Sequence, residues 1–75
     1  MSSNCSDCKE LLNKAADATV RHLQAVGRMD LARLRHEDDL LPALRIVTDE
    51  ARVTREKALA AYRRHRSAHA AAAAS

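Results

Sequence analysis

Two cysteines and two histidines carry the chemistry that can be read from this sequence. Cys5 and Cys8 form a C-x2-C pair, and His65 and His69 form an H-x3-H pair far along the chain. These are the ligand types and local spacings of a tetrahedral structural zinc site. Two thiolates and two neutral imidazoles around Zn²⁺ sum to zero charge. A helix N-terminus at Cys5–Cys8, with Arg63, Arg64 and Arg66 nearby, would favour the thiolate forms. The pairs are separated by 56 residues, far more than in a zinc finger, and the hairpin-and-helix core of a finger is absent. The zinc reading competes with two others: a redox-active C-x-x-C pair, and unliganded thiols with solvated imidazoles.

A four-ligand site of this kind requires the two pairs to meet in space, so the intervening chain must double back. Composition dictates how. The chain has 75 residues, of which 47% are hydrophobic, but sixteen of those are alanine. There is one aromatic residue, Tyr62, one glycine, Gly27, and one proline, Pro42. Strand formers are too scarce for a β-domain, and one glycine cannot build a phosphate loop. No apolar run approaches the ~18 residues of a membrane span. Ala, Leu, Arg and Glu favour helix throughout. A core made largely of alanine is thin, and a domain this small ordinarily needs a metal, a disulfide or a partner chain.

Two periodic segments set the architecture. Leu12, Ala16, Val20, Leu23, Gly27, Leu31 and Leu34 repeat at spacings of 3 and 4, one face of a helix over about 7–36. Leu40, Leu44, Val47, Ala51, Thr54, Ala58, Ala61, His65 and Ala68 form a seam rich in small residues, over a second helix of about 40–68. Ser6 or Asp7 can cap the first helix, and Asp38 or Asp39 the second, with Pro42 in its first turn. Gly27 could instead end a helix and make three, but the apolar rhythm passes through it without a phase break. The expected fold is all-α: an antiparallel, coiled-coil-like two-helix hairpin in one domain, residues 1–69, with an Ala-rich tail at 70–75. Laid seam to seam, Leu31 faces Val47, Leu23 faces Thr54, Leu12 faces His65 and Cys8 faces His69. Leu11, Val26, Met29, Ile46, Val53 and Leu59 fall off that narrow seam. A homodimeric four-helix bundle would cover them.

The segments Cys5-Ser-Asp-Cys8-Lys-Glu-Leu-Leu and His65-Arg-Ser-Ala-His69 resemble those of a set of short uncharacterised proteins of soil bacteria. These share a C-x-x-C start, Arg- and Ala-rich helices and an H-x3-H ending. The resemblance spans most of the chain and implies no particular activity.

The net charge is +3, and its one basic cluster is Arg63, Arg64 and Arg66, a candidate anion-binding group. A solvated helix end is the plainer reading, since a nucleic-acid binder ordinarily shows a wider basic face. His22 and His36 lack partners at ligand spacing and read as solvated or edge-packed. The first residues lack the basic and apolar regions of a signal peptide, so a cytoplasmic, reducing location without membrane attachment is expected. The functional expectation is a helical interaction or structural module, braced by zinc at Cys5, Cys8, His65 and His69. The alternatives are a zinc- or thiol-responsive regulator and a small basic nucleic-acid-associated protein. An enzyme is not expected, because a two-helix hairpin has no pocket of its own.

Overall fold

Strong helix formers on both sides of one break produce two long helices and little else. The computed structural model describes residues 5–74: α1 (Ser6–Leu34), a short 3₁₀ helix (Asp38–Leu40) and α2 (Leu41–Ala74). The helices pack antiparallel into a hairpin 57 Å long and 16 by 14 Å across. Gly27 lies inside an unbroken α1, so the two-helix reading holds. α2 continues through the alanine run to Ala74.

The ends of α1 differ from the caps that were expected. Cys5 is the N-cap, in extended conformation, and Ser6 and Asp7 belong to the first turn. At the other end the chain closes in a Schellman motif. The N–H of Glu37 donates to the carbonyl of Ala32 at 2.8 Å, and that of His36 to Arg33 at 3.2 Å. The motif needs a left-handed residue, and His36 supplies it with φ of 58°. Asp38 and Asp39 cap nothing with their side chains; they form the 3₁₀ turn that leads into Pro42 and α2.

The interface between the helices corrects the expected seam. On α1 the buried residues are Ala15, Ala18, Ala25, Met29 and Ala32, with Cys8, Leu11, His22 and Val26 half-buried beside them. On α2 the half-buried set is Leu41, Leu44, Thr48, Ala51, Arg55, Ala58, Leu59, Ala61, Tyr62, His65 and His69. The α1 residues of the expected seam point away: Leu12, Val20, Leu23 and Leu31 are exposed, and Leu34 is 77% exposed. Leu40, in the 3₁₀ turn, is exposed as well, and on α2 so are Val47, Thr54 and Ala68. Conversely, Met29 is buried, and Leu11, Val26 and Leu59, placed off the seam by the sequence, are partly covered. Ile46 and Val53 are exposed as expected.

The physical reason is complementarity of size: α2 brings Leu41, Leu44, Arg55, Leu59 and Tyr62 to the contact, and the small residues of α1 make room for them. Thr48, in this seam, satisfies its hydroxyl by donating to the Leu44 carbonyl at 2.7 Å, within its own helix. Arg55 also enters the seam, and its Nε is buried without a hydrogen-bond partner.

Gly27 is exposed, and a Cβ built on it would meet nothing within 4 Å. Its φ is not positive. A glycine within a helix costs about 1 kcal/mol relative to alanine. Nothing inside a single chain requires glycine there.

Candidate metal centre

The end of the hairpin opposite the turn gathers all four expected ligands. Cys5 and Cys8 stand at the N-cap and in the first turn of α1, and His65 and His69 one turn apart on α2. Each is half-buried, and their ligand atoms all lie within 4.8 Å of one another. Cys5 Sγ is 3.3 Å from His65 Nε2. His65 Nε2 is 3.0 Å from His69 Nε2, with the two rings edge to face. Cys5 thus occupies the place opposite His65 that the expected register gave to Leu12.

The two shortest of these distances lie within about 0.4 Å of the edges of a zinc tetrahedron. Bonds of about 2.3 Å to sulfur and about 2.05 Å to nitrogen put S···N at about 3.5 Å and N···N at about 3.35 Å. A cation among the four atoms would draw the more distant of them inward by about an ångström. Proton chemistry satisfies the cluster less well. His65 Nε2 faces both a sulfur and a second imidazole nitrogen, yet one ring nitrogen either donates once or accepts. A metal ion takes lone pairs from all four atoms at once.

The environment separates the two thiols. His65 beside Cys5 lowers its pKa to about 6, with a lesser contribution from the backbone N–H of Cys8. The Cys8 thiol is pushed up, first by burial and then by its neighbour Cys5. Both cysteines are free thiols. The thiolate therefore forms more readily at Cys5 than at Cys8.

The remaining candidates lie elsewhere. Arg63, Arg64 and Arg66 are exposed on α2. The Arg66 guanidinium stands 5.9 Å from the centre of the Tyr62 ring. His22 is half-buried in the helix seam, and His36 is exposed at the turn, where its backbone conformation is its contribution. Residue type does not announce that role, because glycine is the usual occupant. Among the described residues, no helix is long and apolar enough to cross a membrane. Comparison of the chain with known protein families, curated proteins and solved structures found no match.

Proposed function

We propose that this protein is a metal-braced helical hairpin, a structural and interaction module whose two helices are tied at their open end by zinc. One observation carries the reading: four ligand atoms of zinc-binding type, contributed by residues 60 positions apart, converge within 4.8 Å. Thiolate and imidazole in a tetrahedral set suit zinc over harder cations. Four protein ligands leave no open coordination position, which favours a structural over a catalytic ion. A thin alanine seam supplies the need for such a tie. A thiol-ligated ion is maintained in a reducing compartment, and we place the protein in the cytoplasm. The exposed apolar residues support self-association of the hairpin into a homodimer.

Native mass spectrometry of the purified full chain tests both parts. The expected species is a dimer carrying one zinc per protomer. Substitution of Co²⁺ for zinc is expected to give the visible bands of tetrahedral, thiolate-bound cobalt. Chain without bound metal after exposure to stoichiometric zinc, with no cobalt spectrum, would overturn the metal assignment.

A further inference from the structure

The outer face of α1 presents a continuous apolar stripe that its own hairpin leaves uncovered. Leu12, Val20, Leu23, Leu31 and Leu34 are between 48% and 77% exposed, with Ala16 and Gly27 between them. We infer that this stripe is the contact surface for a second copy of the chain, docked antiparallel on α1 about a two-fold axis at Leu23. The inference rests on the self-association proposed above and not on the metal.

The argument for a copy of the same chain is self-complementarity, which an isologous interface requires. With the axis at Leu23, reversal of the helix sets Val20 opposite the partner's Gly27 and Ala16 opposite the partner's Leu31. Large residues then meet small ones. Leu12 meets the partner's Leu34, and Leu23 meets the partner's Leu23. Gly27, for which no reason exists within one chain, acquires one: it receives a valine from the facing helix and lets the backbones approach.

Charge follows the same symmetry. Asp17 and Arg28 lie three turns apart on one flank of the stripe. Both are exposed, and among the described residues neither has an ion-pair partner. The reversed helix brings Asp17 beside the partner's Arg28, twice per dimer. The apolar surface also continues toward α2, where Leu31, Leu40 and Leu44 border one open groove.

Sedimentation equilibrium of the full chain, with and without added zinc, decides the matter. The wild type is expected to be a dimer. Leu23→Lys places two like charges at the axis and is expected to weaken dimerisation roughly a hundredfold or more. Because Leu23 is 63% exposed, the variant is expected to keep its helical circular dichroism. Asp17→Arg and Arg28→Asp are each expected to weaken the dimer about tenfold, and the double variant to restore it. A wild-type monomer at high micromolar concentration would overturn the inference together with the self-association beneath it. A dimer unaffected by Leu23→Lys would overturn this face while leaving self-association standing. Two weakening single variants whose combination fails to restore the dimer would overturn the antiparallel register.

Discussion

Zinc held at the open end, as proposed, should make thermal stability depend on free zinc. An ion that binds only the folded chain adds about 1.4 kcal/mol to the unfolding free energy for each tenfold rise in its free concentration above Kd. In a domain of this size, 1 kcal/mol moves the melting temperature by about 4–8 °C. Each decade of free zinc should therefore raise it by about 6–11 °C. The rise has a ceiling, because the unfolded chain still holds the separate Cys5–Cys8 and His65–His69 pairs. To bring those pairs together it must close a span of 60 residues. By the chain-entropy estimate that closure costs about 4 kcal/mol at 25 °C. The folded chain, with its ligand atoms already within 4.8 Å, should then bind roughly a thousandfold more tightly than the unfolded one. The assay is a series of melts at fixed protein concentration in metal buffers that step free zinc by decades. His65→Ala removes the nitrogen that lies between Cys5 and His69 and should flatten the dependence. His22→Ala, within the helix seam, should shift the baseline but keep the slope. A wild-type melt indifferent to free zinc, or a slope lost equally in both variants, would refute the reasoning.

Three further outcomes follow from local features. Replacing His36 by Gly relieves a left-handed backbone at the cost of a more flexible unfolded chain, and should stabilise the hairpin by about 0.5–1 kcal/mol in urea titration; a lower midpoint than wild type would contradict the turn geometry. In metal-free protein, Cys5 should be alkylated by iodoacetamide with a rate that rises with pH through about 6 as the thiolate forms, and Cys8 only at higher pH; peptide mapping showing Cys8 modified first would reverse that assignment. Arg55→Met keeps the apolar stem while removing a buried, unpartnered Nε, a group whose burial costs about 1–3 kcal/mol. Its melting temperature should equal or exceed that of wild type, and a fall would show that Arg55 makes a stabilising contact in solution.

The Cys/His cluster was legible in the sequence because it depends on little. Any hairpin with its turn near residue 37 brings the first and last turns together, whatever faces the helices use between them. The i,i+3 and i,i+4 spacings then hold each pair on one side. The seam was harder to read. α1 carries two apolar stripes, one through Leu12, Leu23 and Leu34, the other through Ala15, Ala25 and Ala32. Ranking by hydrophobicity selects the leucines. The choice between stripes is made by the large residues that α2 presents, which the periodicity of α1 alone does not encode. His36 hid the Schellman turn for a similar reason: the backbone conformation is specified by its surroundings, and the residue type gives little warning of it.

The alanine seam also determines how the hairpin responds to denaturants. Alanine removes little apolar surface from water, so unfolding exposes less new area than in a domain of equal length with a leucine core. The dependence of unfolding free energy on urea concentration scales with that area. So does the heat-capacity change that curves stability with temperature. A single protomer should accordingly unfold over a broad range of urea, with a shallow stability curve and weak cold sensitivity. A sharp transition is then the mark of leucines withdrawn from water in an assembly, and the steepness of the urea curve reports association as directly as mass does.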